Sequence, residues 1–199
     1  MIELTTFVVI LRDPTDRLFS EFNHHKNRKR FGNMTFVQYV DKMETLWNKC
    51  QLLHPLNYSV CYQIPMVPMR HNPLVSGMIH SQLQMWLDAG IPVSSFLLVS
   101  MKDYVSSVNG RKAVLRKIFE KSGIKGNNDQ FDNYLKKIQT PIKAMNAQTR
   151  NRDMGDLMRT RLKNFYSSHK KRTQDLILNQ NFQLIPNFSH EEILNGTFW

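Results

Sequence analysis

The segment from Phe7 to Phe22 predicts a β-strand that leads directly into an α-helix. Its first part, Thr6 to Leu11, is a run of apolar and β-branched residues of the length expected for a buried strand. Asp13 is a suitable N-cap, and Pro14 suits the first position of a helix. A strand followed at once by a helix is the basic unit of α/β proteins, so this segment favours that fold class.

The remainder of the chain continues the alternation of strands and helices. Thr35 and Gln38 form a capping-box pattern at the start of a second helix, and residues 96–100 are a second apolar run typical of a buried strand. Further helices are predicted at residues 77–89, 111–121 and 156–178. The proline-containing residues 50–75 and the Asn-rich residues 124–155 are predicted to be irregular surface loops. We therefore expect a single domain over residues 1–199, with a parallel sheet.

The charge of the chain indicates a polyanionic partner. Lys and Arg number 27 against 16 Asp and Glu, a formal net charge of +11, and most of the excess lies in residues 101–199. Such a surplus fits a nucleic acid, a phosphorylated cofactor, an acidic glycan or an anionic membrane. Composition alone does not choose among these, although the 41% of hydrophobic residues excludes a disordered chain.

The cysteines and the N-terminus bear on the cellular compartment. Cys50 and Cys61 either form one bridge in an oxidising compartment or remain free thiols. N-x-[ST] sequons at Asn33, Asn57, Asn187 and Asn195 favour a secretory route only weakly. The N-terminus has neither a basic n-region nor a cleavage site, and because a strand begins almost at once, we expect further chain upstream of Met1.

Arg12 and Ser20 are the candidate anion-binding residues of the first strand–helix unit. A helix that begins after a strand presents a positive end to anions, and a guanidinium at the end of the strand binds a phosphate bidentately. Ser20 adds a hydroxyl donor on the helix. The competing interpretation is an ordinary strand–helix junction in which Arg12 pairs with Asp13 or Asp16.

The same residues resemble the 3′-phosphate-binding motif of the sulfotransferases that use 3′-phosphoadenosine 5′-phosphosulfate (PAPS). In that family a strand ends in Arg-(Asp/Asn)-Pro and is followed by an Arg and then a Ser on the helix. Arg12, Asp13, Pro14, Arg17 and Ser20 match it in order. The resemblance implies that Arg12 and Ser20 hold the 3′-phosphate of the nucleotide, with Arg17 as part of the motif.

Two later segments extend the resemblance over most of the chain. The helix GMIHSQLQMWLDAG from Gly77 is similar to the family's Gly-x-Tyr, Gln-Leu, Trp-Leu helix, although Ile79 stands in place of the Tyr. The segment from Thr160 to Ile177 resembles the Golgi enzymes that act on chondroitin- and heparan-type chains. The resemblance implies a P-loop-NTPase-like parallel sheet flanked by helices, here incomplete on its N-terminal side.

Some parts of the family pattern are missing. No Gly-rich loop with Lys and Ser/Thr, which holds the 5′-phosphosulfate, is found, and KSGIKGN from Lys121 follows a predicted helix rather than a strand. The family's catalytic base also belongs upstream of Met1, so no catalytic residue is assigned. The loop predicted at residues 124–155 lies where the family has its cofactor lid. Its basic residues are candidates for binding the cofactor or an acidic acceptor: Lys125, Lys136, Lys137, Arg150 and Arg152.

The resemblance implies a Golgi glycoprotein that transfers a sulfuryl group from PAPS to a hydroxyl of a carbohydrate acceptor, with an acidic glycan as the expected acceptor, no metal, and any membrane anchor upstream of Met1. The alternative is a truncated, non-catalytic relative that acts as a basic glycan- or nucleotide-binding module. Nucleic-acid binding is disfavoured because no known module is present and the aromatic residues follow core stripes.

The remaining candidates are given structural roles. Trp47 and Trp86 lie on apolar helical stripes and are expected in the core, and His80 is expected to be structural. The basic run from His24 to Arg30 is expected to be a solvated face, although it could line a groove for an acidic substrate. The spacing of His and Cys residues offers neither a CxxC nor an HExxH metal motif.

Overall fold

The computed structural model describes residues 5–65, 71–106, 108–123, 133, 153–185, 189–196 and 199. Over these residues the protein is a mixed α/β structure with a small parallel sheet flanked by helices. The strands are β1 (Phe7–Leu11), β2 (Phe96–Ser100) and β3 (Leu184–Ile185). The helices are α1 (Pro14–Asn27), α2 (Phe36–Leu53), α3 (Tyr58–Gln63), α4 (Ile79–Asp88), α5 (Met101–Ser106), α6 (Val108–Lys121), α7 (Asp156–Gln180) and α8 (His190–Leu194), with 3₁₀ turns at Val75–Gly77 and Val93–Ser95.

The chain divides into two compact units. Unit 1 comprises residues 1–12, 87–147 and 174–199, and unit 2 comprises residues 13–86 and 148–173. The Asn-rich stretch predicted to be an irregular loop, residues 124–155, lies almost entirely outside the described part of the chain.

Unit 1 contains the sheet, in the order β1-β2-β3 with parallel pairing throughout. The register places Phe7 opposite Phe96 and Leu98 opposite Leu184. The central strand β2 is buried along its whole length, because Val114 and the partly buried Ile118 of α6 pack against the sheet together with Ile185. The strand predicted at residues 96–100 is therefore confirmed.

The edge strand β1 is less buried than its sequence suggests. Val8 and Ile10 are 40% and 53% exposed, whereas Leu11 is fully buried. The expectation of a fully buried strand is therefore wrong for one face of β1. A continuous apolar run is typical of a parallel strand covered on both faces, and the sequence carries no signal that one face of β1 is left exposed.

Unit 2 is helical and has its own hydrophobic core. Aromatic and aliphatic side chains of α1, α2 and α7 meet there, including Phe22, Tyr39 and Tyr166. The capping box of Thr35 and Gln38 is present at the start of α2. The prediction that residues 50–75 are irregular is wrong for the end of α2 and for α3, because the N-cap Asn57 starts a proline-free helical segment.

Cys50 and Cys61 form a disulfide bond, which joins the end of α2 to α3. Both residues are buried in the core of unit 2. Of the two states left open by the sequence, the structure has the bridge.

Candidate functional site

Arg12 is the residue that directly follows β1, and its side chain is half-buried. It therefore lies at the carboxyl end of a parallel strand in unit 1. The carboxyl ends of parallel strands are the edge of the sheet at which α/β proteins bind their ligands. The position of Arg12 is thus suitable for gripping an anionic ligand.

Asp13 caps the start of α1 in unit 2. Its carboxylate accepts hydrogen bonds from the amides of Thr15 and Asp16, at 2.9 and 3.2 Å. Lys170 of α7 donates to the other oxygen of the same carboxylate at 3.0 Å. Burial opposes ionisation, but Lys170 and the two amides outweigh it and hold the pKa of Asp13 below its ordinary value.

This cap changes what the start of α1 can do for an anion. The sequence suggested that the amides of the first turn bind a phosphate, whereas Asp13 already accepts from two of them. Any grip on a phosphate near this turn would therefore have to come mainly from side chains.

Ser20 lies two turns along α1 and is half-buried. Within the described part of the chain its hydroxyl makes no hydrogen bond. Ser20 is thus able to donate to a ligand without losing an existing contact.

Arg17 is held inside unit 2. One of its terminal nitrogens donates to Glu21 at 2.5 Å, and the other donates to the backbone carbonyl of Pro73. The remaining donor, Nε, is buried without a hydrogen-bond partner among the described residues. Arg17 therefore fixes α1 to the segment around Pro73, and only part of its donor capacity remains for a ligand.

Gly77 packs tightly beside the start of α1. A Cβ at Gly77 would lie 2.8 Å from Cβ of Pro14 and 2.8 Å from Cε1 of Tyr166. The Tyr166 hydroxyl donates to the carbonyl of Leu74 at 2.8 Å, and burial raises the pKa of Tyr166 above its ordinary value. The packing therefore leaves no room for a side chain at residue 77, and this close contact supports the first turn of α1.

Basic residues of α7 are paired with carboxylates from the first half of the chain. Arg159 contacts Asp16 at 2.8 Å, and Arg161 contacts Asp41 at 2.7 Å and also Glu44. Together with the pair between Lys170 and Asp13, these contacts neutralise part of the basic excess predicted for residues 101–199. The positive field of that half is therefore weaker than its composition suggests.

The other basic candidates differ in what the structure says of them. Lys125, Lys136, Lys137, Arg150 and Arg152 lie outside the described residues. Arg28, Lys29 and Arg30 are exposed in the turn after α1, as expected for a solvated basic face. Lys121 donates to the carbonyl of Phe96 at 3.1 Å, at the amino end of β2 and thus at the opposite edge of the sheet from Arg12.

The two tryptophans predicted in the core have different environments. Trp47 is buried among Tyr58, Phe165 and His169. Trp86 is 39% exposed, so its assignment to the core is wrong. On α4 the inward position is taken by Leu83, and Trp86 lies at the border of the apolar stripe.

His80 is buried, which agrees with its predicted structural role. In the described part of the chain, no three His, Cys, Asp or Glu side chains come close enough together to hold a metal ion. Among the described helices, none combines the length and apolar character needed to cross a bilayer. No known family model, curated protein or solved structure matches the chain.

Proposed function

We propose that this chain is part of a PAPS-dependent carbohydrate sulfotransferase with a P-loop-NTPase-like fold, in which it supplies the grip on the 3′-phosphate of the nucleotide. The observation that carries the proposal is the β1–α1 unit. A parallel strand ends at Arg12, and the helix that follows carries Ser20 with an unused hydroxyl.

The surroundings of α1 suit a binding element that must stay rigid. Asp13 and Lys170 fix the first turn, Arg17 ties the helix to Pro73, and Gly77 lets the neighbouring turn approach closely. A site that is held in place before its ligand arrives loses less entropy on binding. The first turn therefore resembles a preorganised support for the residues proposed to touch the phosphate.

Each proposed contact has a defined role. The Arg12 guanidinium would bind two oxygens of the 3′-phosphate, and the Ser20 hydroxyl would donate to a third. Sulfuryl transfer resembles phosphoryl transfer, in which the protein positions the reactants and stabilises charge on the leaving phosphate. The residues named here would orient the donor, and they include neither the base nor the cation at the leaving group.

The disulfide between Cys50 and Cys61 supports a place in the secretory pathway. Disulfides form and persist in oxidising compartments and are rare in the cytosol. A Golgi enzyme would meet this condition, and sequons such as Asn33 and Asn57 lie at exposed positions of unit 2.

The second candidate is a non-catalytic module that binds acidic glycans. It is favoured by the exposed run of Arg28, Lys29 and Arg30, beside which Lys26 lies over the ring of Phe22 at 5.5 Å. Such a module would bind sulfated polymers with a strong dependence on salt and would bind the nucleotide without regard to its 3′-phosphate.

The proposal is tested by nucleotide binding to the chain. Adenosine 3′,5′-bisphosphate should bind more tightly than adenosine 5′-monophosphate, and Arg12→Ala should remove that preference. The loss of a bidentate phosphate contact is worth about 2–4 kcal/mol, a weakening of roughly 30-fold or more. Ser20→Ala should weaken the preference less, since a single hydroxyl donor is lost.

Matched controls are available on exposed helical positions. Arg116→Ala on α6 removes the same charge, and Ser167→Ala on α7 removes the same hydroxyl. Both should leave the 3′-phosphate preference unchanged. Equal affinity for the two nucleotides, an undiminished preference in Arg12→Ala, or no nucleotide binding at all would overturn the proposal.

A further inference from the structure

A cavity of about 290 Å³ lies in unit 2 between α3 and α4. Helical spacing brings the residues of each wall together, because side chains four residues apart lie on the same side of a helix. Tyr58 and Tyr62 lie four residues apart on α3, and Gln82 and Trp86 lie four residues apart on α4. The cavity is formed entirely within one unit and includes none of the residues proposed to bind the 3′-phosphate.

The walls of this cavity are aromatic and uncharged. Its apolar and aromatic lining residues are Tyr58, Tyr62, Val75, Met85 and Trp86, and the residues that line it include no Lys, Arg, Asp or Glu. The lining residues offer no counter-ion to a carboxylate or a sulfate, and the nearby Arg172 is already engaged with the Tyr58 hydroxyl, so the cavity suits an uncharged ligand.

The aromatic walls are held in place by contacts outside the cavity. The Tyr58 hydroxyl accepts a hydrogen bond from Arg172 at 2.6 Å, and its ring packs edge-on against His80 at 5.2 Å. The ring of Tyr62 stacks on His71 at 5.0 Å. Rings that are fixed before binding offer contact area at a low entropic cost.

Two amide side chains give the cavity a small number of polar groups. The Gln82 amide nitrogen donates to the carbonyl of Ser76 at 3.2 Å, which orients the amide and leaves its oxygen as an acceptor. The Gln63 amide is exposed and has no hydrogen-bond partner among the described residues. Aromatic faces combined with a few neutral donors and acceptors are typical of a specific small-ligand site.

We propose that this cavity binds one uncharged sugar ring. The C–H face of the ring would pack on Trp86 and Tyr62, and its hydroxyls would bond with the amides of Gln63 and Gln82. Only the statement that this sugar belongs to the acceptor rests on the proposed function, because the cavity's chemistry stands by itself. The inference also changes the expected acceptor, since an acidic glycan would have to present an uncharged unit here.

The experiment measures saccharide binding to the whole chain by saturation-transfer NMR. Lactose, maltose and chitobiose serve as uncharged probes, and digalacturonic acid, a disaccharide with a carboxylate on both rings, serves as the charged one. At least one uncharged probe should show saturable binding in a titration, and the charged disaccharide should bind at least tenfold more weakly than that probe. Trp86→Ala should weaken binding of the uncharged probe at least tenfold, and Gln63→Ala should weaken it several-fold. Trp86→Phe, which keeps an aromatic ring, should retain most of the affinity that Trp86→Ala loses.

Leu52→Ala is the control variant, because Leu52 is 84% exposed in the same unit and does not line the cavity. It should bind the probes as the unaltered chain does. The proposal is overturned if no uncharged probe binds, if Trp86→Ala binds equally well, or if the charged disaccharide binds as tightly. Displacement of the sugar by adenosine 3′,5′-bisphosphate would also overturn it, in favour of a base-binding site.

The outcomes also separate this inference from the proposed function. Arg12→Ala should lower nucleotide affinity and leave saccharide affinity unchanged, whereas Trp86→Ala should do the reverse. If the unaltered chain binds a saccharide but shows no preference for the 3′-phosphate, only the proposed function is contradicted. The opposite result contradicts only the sugar site.

Discussion

The imidazole rings of His80 and His169 stack on each other inside unit 2, with their centroids 5.3 Å apart and their planes 20° from parallel. Each residue is buried, and Tyr58 packs edge-on against both rings. Neither ring nitrogen of His80 has a hydrogen-bond partner in the described part of the chain, and the same holds for Nδ1 of His169. This environment stabilises the neutral form of both imidazoles.

Unit 2 should therefore lose stability in mild acid. Burial lowers the pKa of both His80 and His169 to about 4, with Arg172 adding to the effect. Above about pH 7.5, both residues are neutral in the folded and unfolded chain, and they contribute no pH dependence. As the pH falls from 6.5 towards 4, the unfolded chain takes up protons first, so the free energy of unfolding decreases, by at most about 3 kcal/mol for each histidine.

Urea denaturation across this pH range measures the effect. His169→Phe removes one titrating ring and should flatten the decrease, whereas His54→Gln, at an exposed position, should leave it unchanged. His25, whose pKa is also lowered by burial, contributes in the same direction and stays constant in this comparison. A free energy of unfolding that is level between pH 6.5 and 5 would contradict the prediction.

Gly77→Ala should destabilise unit 2. The new methyl group would lie 2.8 Å from both Pro14 and Tyr166, and neither a proline ring nor a buried tyrosine can move away easily. Overpacking of this kind costs roughly 1–3 kcal/mol. The neighbouring substitution Ser76→Ala adds no atoms and removes a buried hydroxyl that has no hydrogen-bond partner among the described residues, so it should not lower stability. Thermal and urea denaturation of the two variants make the comparison, and equal stability would show that the contact is relaxed in solution.

Local signals in the sequence were sufficient for several elements of the fold. Asp13 and Pro14 predicted the start of α1, Thr35 and Gln38 predicted the start of α2, and an unbroken apolar run predicted β2. In each case the determinant is a contact between residues at most four positions apart, or the burial of a continuous segment. Such determinants can be identified in a single sequence.

Features that depend on distant partners were missed. Over the described residues, β3 is the two-residue strand Leu184–Ile185, which is defined by its pairing with β2 and not by a periodic pattern. The stacked pair of His80 and His169 joins α4 to α7. The apolar stripe of α4 likewise placed Trp86 in the core, although a large ring at the edge of a stripe can line a cavity instead.

Asp13 should stabilise α1 in two separable ways. Asp13→Ala removes the N-cap and the contact with Lys170, and it should cost about 1–2 kcal/mol. Asp13→Asn keeps an oxygen that can cap the helix and loses only the charge, so it should cost less than about 1 kcal/mol. Denaturation at low and high salt separates the two, because the deficit of Asp13→Asn should shrink in high salt while that of Asp13→Ala persists. Equal costs for both variants would show that the ion pair, and not the cap, is what matters.

Reduction of the bond between Cys50 and Cys61 should destabilise unit 2. The bond closes a short loop, with a sequence separation of 11 residues, and such a constraint on the unfolded chain is worth about 3 kcal/mol. Dithiothreitol should therefore lower the denaturation midpoint of the chain produced through a secretory route. The double variant Cys50→Ala/Cys61→Ala should match the reduced protein and should not respond to dithiothreitol. Detection of free thiols in the denatured, unreduced chain would contradict the bond itself, and a midpoint unaffected by reduction would contradict its contribution to stability.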